Sequence, residues 1–260
     1  LDEPALLAPE FEHKKVLPAL RDLYDEIWVY GLPQIYDPLA DIGLPEAVMR
    51  KMIYTGYLRR SLPDAAPPRA DEPGILVTAG GGGDGEVLME WVLSAYETDP
   101  GIPHPALLVF GPFMPGEARE AFQARAEALD KVTAIDFDAQ IEQLIDRSIG
   151  VVAMGGYNTF CEILSFDKPS LIVPRTQPRK EQLIRARRAQ ELGLARLLGD
   201  DGTRDPKRMA VALRQLPQQE RPSKVILPGL LDGLPNINRL VERELEDRSG
   251  RELSLVERKG

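Results

Sequence analysis

Short apolar runs alternate with amphipathic stretches through most of the chain after residue 74. Each apolar run spans four to six residues, and the runs cover residues 75–79, 106–111, 132–137, 149–154, 170–174 and 195–198. The stretches around them carry apolar residues at helical spacing, at residues 86–96, 116–130, 139–148, 155–167, 181–193, 206–216 and 235–247. Strands that are apolar throughout and alternate with helices are typical of a parallel sheet covered on both faces. The pattern therefore predicts an α/β fold with a doubly wound parallel sheet.

The pattern before residue 74 is less regular. It predicts two helices and two extended segments, at residues 10–24, 45–51, 25–31 and 53–58. Proline, alanine and charged residues dominate the stretch that follows, which predicts a linker without a packed core. We therefore expect an amino-terminal segment, a linker, a ligand-binding domain and a loose tail, at residues 1–58, 59–73, 74–247 and 248–260.

Charge and composition exclude several classes of protein. The 260 residues carry a formal net charge of −9, which argues against a nucleic-acid-binding protein, because that function needs a basic face. One cysteine and two histidines leave no disulfide framework and no metal centre rich in those residues. The sequence has neither an apolar run long enough for a membrane span nor a secretory signal, so we expect a cytoplasmic protein. The chain starts at Leu1 rather than Met, which favours a fragment or a processed form.

A glycine-rich loop follows the first regular strand and opens a helix. Residues 80–85 are Gly-Gly-Gly-Gly-Asp-Gly. Glycine lets the backbone approach a ligand closely, and the free N–H groups at the start of a helix attract anions. Four consecutive glycines cost more backbone entropy than a plain turn justifies. The loop therefore predicts a cradle for phosphate.

The same loop fits the dinucleotide-binding spacing Gly-x-Gly-x-x-Gly through Gly80, Gly82 and Gly85. That motif needs an acidic residue at the end of the second strand to hold a ribose. Here the second strand ends in Val-Phe-Gly-Pro at residues 109–112, without an acid. An NAD-dependent oxidoreductase is therefore a minor alternative.

A second glycine turn, Gly155-Gly156, follows the fourth strand and opens another helix. Asn158 or Thr159 can cap that helix. Glu162 lies further along it, and its carboxylate can accept two hydrogen bonds from the vicinal hydroxyls of a ribose. Because the neighbours of Glu162 are apolar, we expect this carboxylate in a cleft rather than in solvent.

The loop after the fifth strand is basic and lies at the same edge of the predicted sheet. Arg175 and Arg179 can balance a diphosphate, whereas Lys180 fits a solvated loop at least as well. Glu181 and Gln182 can bond sugar hydroxyls. Glu181 has the alternative role of an acid that stabilises the start of its helix.

The helix that follows carries three further arginines, Arg185, Arg187 and Arg188. They predict a solvated basic face. Such a face can also touch an anionic membrane surface, which would suit a lipid-linked substrate.

Three of these segments resemble one known family. They are the turn Gly-Gly-x-Asn-Thr-x-x-Glu, the strand Lys-Pro-x-Leu-Ile-Val-Pro-Arg and the Glu-Gln helix start, at residues 155–162, 168–175 and 181–182. They resemble the carboxyl-terminal domain of GT-B glycosyltransferases of family 28, a family that includes the N-acetylglucosaminyltransferase of peptidoglycan precursor synthesis. The resemblance covers residues 74–240, about two thirds of the chain.

The resemblance implies a Rossmann-like domain that binds a nucleotide-sugar donor. It implies the diphosphate near residues 81–83, the ribose on Glu162, the base near Phe137 and the transferred sugar near residues 181–182. Together the motifs and the resemblance predict a donor site made of Gly81, Gly82, Gly83, Phe137, Gly155, Gly156, Asn158, Thr159, Glu162, Arg175, Glu181 and Gln182.

The implied activity is the transfer of a sugar, from a UDP-linked donor, to a sugar, lipid-linked or small-molecule acceptor. Neither a metal nor a cofactor is expected, since the nucleotide-sugar is a substrate. Asp136 and Asp138 have a metal-binding spacing, but they fit a strand end and a helix cap better. The resemblance also implies that residues 1–58 end an amino-terminal domain that is mostly absent from this chain and that normally supplies the general base.

Two alternatives share this fold. One is a nucleotide-sugar epimerase or hydrolase, and the other is a nucleotide-sugar-binding module without catalysis of its own.

Overall fold

The computed structural model describes residues 4–37, 39, 42–62, 74–81 and 83–257. Most of the predicted linker, with Leu1 and Gly82, lies outside the described residues. The helices are α1 Pro4–His13, α2 Val16–Asp22, α3 Glu46–Met49, α4 Glu86–Thr98, α5 Gly116–Glu127, α6 Ile141–Arg147, α7 Tyr157–Ser165, α8 Glu181–Glu191, α9 Pro206–Gln215 and α10 Gly233–Glu257. The strands are β1 Ile27–Val29, β2 Met52–Tyr54, β3 Ile75–Thr78, β4 Ala106–Val109, β5 Val132–Ile135, β6 Gly150–Ala153, β7 Ser170–Ile172 and β8 Arg196–Leu197.

Six of the described strands form one sheet in the order β5-β4-β3-β6-β7-β8. Each neighbouring pair is parallel, and Thr78 of β3 is in register with Val109 of β4 and Ala153 of β6. This confirms the predicted doubly wound parallel sheet. The strand order reverses between β3 and β6, and in open sheets of this kind a crevice forms at the carboxyl ends of the strands beside that reversal.

Helices cover both faces of this sheet. Because successive residues of a strand point to opposite faces, Ile75 and Val77 of β3 pack with α4, α5 and α9, whereas Leu76 packs with α6, α7 and α8. Trp91 of α4 is buried in the first layer and Phe160 of α7 in the second. The central strands β3, β6 and β7 are buried along their whole length and are mostly apolar, because helices cover both of their faces.

The amino-terminal segment packs against α7 and α10. Its strands β1 and β2 form a small parallel sheet of their own. The Tyr57 ring stacks on Tyr157 at 5.7 Å between centroids and meets Phe160 edge-on at 5.3 Å. The side-chain amide of Asn236 in α10 donates to the Thr55 carbonyl at 2.7 Å. The last helix, α10, therefore contacts the amino-terminal segment.

The single helix predicted over residues 10–24 is wrong, because the chain forms α1 and α2 with a break between them. Lys15 adopts the left-handed backbone conformation, with φ of 51°. Pro18 lacks an N–H group and would interrupt a continuous helix. In the first turn of α2 this loss costs nothing, since N–H groups there have no partner within the helix.

The last helix also differs from its predicted extent. The helix expected to end at residue 247 continues to Glu257, so the tail expected to be loose is helical over most of its length. Its residues include glutamate, leucine and arginine, which have high helix propensity. No helix in the described part of the chain combines the length and the apolar character needed to cross a bilayer.

Replacement of Gly111 by alanine tests the close approach of two loops at the carboxyl edge of the sheet. Gly111 has φ of +93°, and a Cβ there would lie 2.4 Å from the Gly80 carbonyl oxygen. We expect Gly111→Ala to lower the free energy of unfolding by about 2–4 kcal/mol, through backbone strain and this clash. The measurement is urea denaturation followed by circular dichroism.

Gly116→Ala is the matched control. Gly116 begins α5, and a Cβ there meets no atom within 4 Å. This substitution should change stability by less than about 1 kcal/mol, in the stabilising direction. Equal losses in the two variants would contradict the close approach.

Candidate functional site

A cavity of about 410 Å³ opens at the carboxyl ends of β3, β4 and β6, beside the reversal in strand order. It is lined by Thr78, Ala79, Gly80, Gly81, Asp84, Val109, Phe137, Asp138, Ile141, Met154, Gly155, Gly156, Tyr157, Asn158, Thr159, Glu162, Arg175 and Gln182.

The cavity brings together nine of the twelve predicted donor-site residues. These are Gly81, Phe137, Gly155, Gly156, Asn158, Thr159, Glu162, Arg175 and Gln182. Gly83 and Glu181 do not line it, and Gly82 lies outside the described residues. A Cβ on Gly83 would lie 3.7 Å from Phe113, which is an ordinary van der Waals contact, so packing does not require a glycine at this position.

A buried arginine, Arg185, holds the second glycine turn in place. Gly155 has φ of +79°, and a Cβ there would lie 2.7 Å from the Ile172 side chain. The Arg185 guanidinium donates to the Gly155 carbonyl at 2.7 Å. The prediction of a solvated basic face is therefore wrong for Arg185, which is buried under the cavity floor. Arg188 donates to the Gln34 carbonyl, so the arginines of α8 do not form one basic surface.

The start of α7 directs backbone N–H groups to the cavity edge. Gly156 precedes the helix and Tyr157 is its first residue, so the prediction that Asn158 or Thr159 caps the helix is wrong. The first intrahelical bond runs from the Phe160 N–H to the Gly156 carbonyl at 2.9 Å. The N–H groups of residues 157–159 therefore remain available to an anion.

Glu162 is a buried carboxylate that faces the cavity, with 8% of the residue exposed. Its pKa is raised to about 7, chiefly by burial and in addition by the Glu142 carboxylate, against the opposing effect of Arg60. No hydrogen bond from the described residues contributes to this balance. A carboxylate that is desolvated without donors is a strong acceptor for a ligand that brings hydroxyl groups.

Arg175 is the one lysine or arginine among the described lining residues. Its guanidinium lies 3.2 Å from the Asp84 carboxylate and 2.9 Å from that of Glu181. The Arg175 N–H donates to Gln182 Oε1 at 3.2 Å, so the Gln182 Nε2 donor is turned towards Gly156. Gln182 thus presents an amide donor to the cavity.

Arg179 and Lys180 do not line the cavity. Arg179 instead donates to both carboxylate oxygens of Glu10 in α1, each at 3.0 Å. This contact holds the pKa of Glu10 well below its usual range. Lys180 is the residue before α8. Arg179 therefore links the loop after β7 to α1 through an ion pair.

Sequence reasoning missed Arg60, which it assigned to the linker. The Arg60 guanidinium donates to Asn158 Oδ1 at 3.0 Å, and its backbone N–H donates to Ser165 Oγ at 2.8 Å. These partners are 98 and 105 residues away, so no local pattern could have indicated them.

Asp138 was expected to cap a helix, but it does not. Its carboxylate accepts from the Gln140 N–H at 2.7 Å, and α6 begins only at Ile141. Asp138 thus shapes the turn that lines the cavity.

Asp136 lies 3.5 Å from Arg119. Among the described residues, no group of three or more histidine, cysteine or acidic side chains is arranged to hold a metal, and metal independence stays a prediction.

Comparison with known proteins assigns the domain. Residues 75–224 match the profile of the glycosyltransferase family 28 C-terminal domain. The chain belongs to glycosyltransferase family 28. The match begins with β3 and ends in the turns after α9, so the family 28 domain contains the whole sheet and the cavity.

A relative from Methanosarcina acetivorans, described as an uncharacterized glycosyltransferase, is 28% identical in an alignment of 225 residues that covers 80% of this chain. The chain spans 56% of that relative's length.

Two solved structures share the GT-B fold. CalG4, the calicheamicin glycosyltransferase, has a TM-score of 0.59 at 20% identity, over 95% of this chain and 59% of CalG4. MurG of Acinetobacter baumannii has a TM-score of 0.56 at 13% identity, over 91% of this chain and 77% of MurG. At these identities the likeness shows the fold alone.

The raised pKa of Glu162 predicts a pH-dependent stability of the empty protein. Between about pH 4.5 and 7 the folded protein keeps a proton on Glu162 that the unfolded chain releases, so the contribution of Glu162 to stability is largest below this window and falls as pH rises through it. The loss is at most about 3 kcal/mol, since one pKa unit corresponds to about 1.4 kcal/mol.

Glu162→Gln should remove this component of the pH dependence. The measurement is the free energy of unfolding of both proteins by urea denaturation, at several values from about pH 4.5 to pH 8. Parallel curves for the two proteins would show that Glu162 titrates at its ordinary value.

Proposed function

We propose that the family 28 domain binds a nucleotide-sugar, and that the protein transfers the sugar to an acceptor. The observation that carries this proposal is the Glu162 carboxylate, which is buried, faces the cavity and has no hydrogen-bond donor from the described residues. Two vicinal hydroxyls of a ribose supply two donors and offset the cost of its burial.

The rest of the cavity fits the rest of such a donor. The Gly80–Gly81 turn and the N–H groups of residues 157–159 surround a space suited to a diphosphate. Phe137 is 58% exposed at the rim and offers an aromatic face to a base. We propose uracil as that base, and Gln182 as a donor to a sugar hydroxyl.

Donor cleavage places negative charge on the leaving diphosphate. In the proposed reaction the backbone N–H groups and Arg175 stabilise this charge directly, without a metal ion. The acceptor is proposed to be a hydroxyl group of a sugar, a lipid-linked substrate or a small molecule.

Nucleotide binding tests the assignment of Glu162 to the ribose. We expect Glu162→Gln to weaken UDP binding by about 1–3 kcal/mol, the cost of losing hydrogen bonds to a charged group. Binding of 2′-deoxy-UDP should change much less, because that ligand lacks one of the two hydroxyls. Isothermal titration calorimetry of both ligands with both proteins measures the difference.

Glu120→Gln, at an exposed position on α5, is the matched control and should bind UDP like the wild type. GDP, ADP and NAD are titrated in parallel. Tight NAD binding with weak UDP binding would refute the proposal in favour of an oxidoreductase. Equal effects of Glu162→Gln on UDP and 2′-deoxy-UDP would refute the role of Glu162.

The protonation of Glu162 predicts how donor binding depends on pH. Ribose hydroxyls donate to the ionised carboxylate, so UDP-glucose should bind more tightly as pH rises through about 7, and binding near pH 6 should release a proton. UDP-glucose is the suitable probe because, unlike UDP, it carries no phosphate that titrates in this range. Calorimetry in buffers of different ionisation enthalpy counts the protons, and Glu162→Gln should release none. A pH-independent affinity in the wild type would contradict this prediction.

A further inference from the structure

The described lining of the cavity is acidic, which is unexpected for a site that accepts a diphosphate. It contains three carboxylic acids, Asp84, Asp138 and Glu162, against the single guanidinium of Arg175. With all of them ionised the formal charge of the lining is −2. Each further negative charge on a ligand is therefore penalised.

Asp84 differs from the other two acids, because it lies within the glycine-rich loop and pairs with Arg175, the one cation among the described lining residues. Its carboxylate lies 3.2 Å from the Arg175 guanidinium and is 47% exposed, whereas the Arg175 side chain is 29% exposed. Glu181 holds the other side of the guanidinium at 2.9 Å. The charge of Arg175 is therefore already balanced by two carboxylates when the cavity is empty.

The pair of Arg175 and Asp84 also separates two cavities. A second cavity of about 290 Å³ adjoins the first and shares Asp84, Arg175 and Met154 with it. Glu162 and Asp138 line the first cavity and are not among the described residues that line the second, and they lie in α7 and directly before α6. With the ribose on Glu162, the boundary is where a diphosphate would continue into its sugar.

We propose, on the basis of the function proposed above, that Asp84 is a specificity residue that distinguishes the donor from the product by charge. A nucleotide-sugar carries about two negative charges, whereas a free nucleoside diphosphate carries about three above pH 7, since its terminal phosphate has a second pKa near 6. The third charge develops at the terminal phosphate, next to Asp84. Asp84 repels that charge and competes with it for Arg175, so the product binds less tightly and leaves after transfer.

The test compares the affinities of UDP and UDP-glucose in the wild type and in Asp84→Asn. Calorimetry is done at about pH 8 and low salt, with a chelator present so that no divalent ion neutralises the diphosphate. We expect Asp84→Asn to tighten UDP binding about 3- to 10-fold more than UDP-glucose binding. Should UDP not be the preferred nucleotide, the pairs GDP with GDP-mannose and ADP with ADP-glucose replace it.

Asp130→Asn is the matched control, because it removes one negative charge at the amino end of β5, at the opposite edge of the sheet. It should leave the ratio of the two affinities unchanged. Asp84→Ser is a second variant in which the side chain is too short to reach Arg175, and it should change the ratio in the same direction as Asp84→Asn.

Two results would overturn the proposal and leave the proposed function intact. One is an equal change in affinity for UDP and UDP-glucose in both Asp84 variants, which would indicate a general charge effect. The other is weaker UDP binding in both variants, which would indicate that Asp84 positions Arg175 for the phosphate. If the wild type binds none of the nucleotides, the proposed function fails and this inference fails with it.

Discussion

Parallel strands present their carboxyl ends along one edge, and in this sheet the chain winds away from β3 and β6 to opposite faces. The connections after these strands therefore diverge and leave a crevice between them. Each wall of the crevice is a strand end followed by a glycine turn and a helix start, at residues 80–86 and 155–157. The lining of the cavity depends on the reversal of strand order between β3 and β6, since it brings together the glycine turns at residues 80–81 and 155–156, which are more than 70 residues apart.

The chemistry of the cavity combines donors from the backbone with an excess of acidic side chains. The N–H groups at the start of α7 provide a fixed partial positive charge that no side-chain substitution removes. Glu162 is buried beside them and has no hydrogen-bond donor among the residues that the structure describes, and Arg175 is balanced by Asp84 and Glu181. In the proposed function such a site binds an anion through the backbone, and its side chains select among anions. It differs in this respect from a phosphate site built from lysine and arginine side chains.

The described parts of the amino-terminal segment, together with Arg60 directly after it, contribute to this site indirectly. Tyr57 packs on α7, Arg60 bonds Asn158 in the first turn of that helix, and Glu10 holds Arg179 in the loop after β7. The segment therefore contacts two of the loops that form the cavity. Sequence reasoning placed Arg60 in a linker because the composition around it is rich in proline and alanine, and composition carries no information about a partner 98 residues away.

By itself the sequence determined the parts of the protein that follow from local pattern. Apolar runs with intervening helical periodicity specify strands and helices that must be buried on both faces, and this determines the doubly wound sheet. The glycine turns and Glu162 were predicted for the same reason, since their neighbours in sequence already mark a strand end or an apolar helix face. The break between α1 and α2 also has a local cause, Pro18, although the pattern alone suggested one helix.

Only the tertiary structure decided which partner each charged side chain contacts. The pairing of Arg175 with Asp84, the burial of Arg185 under Gly155 and the contact of Arg60 with Asn158 each join segments that are distant in sequence. A charged residue in a helix or loop has the same local pattern whether it faces solvent, a ligand or a buried carbonyl. The difference lies in desolvation and in the position of its partner, and both exist only once the chain has folded.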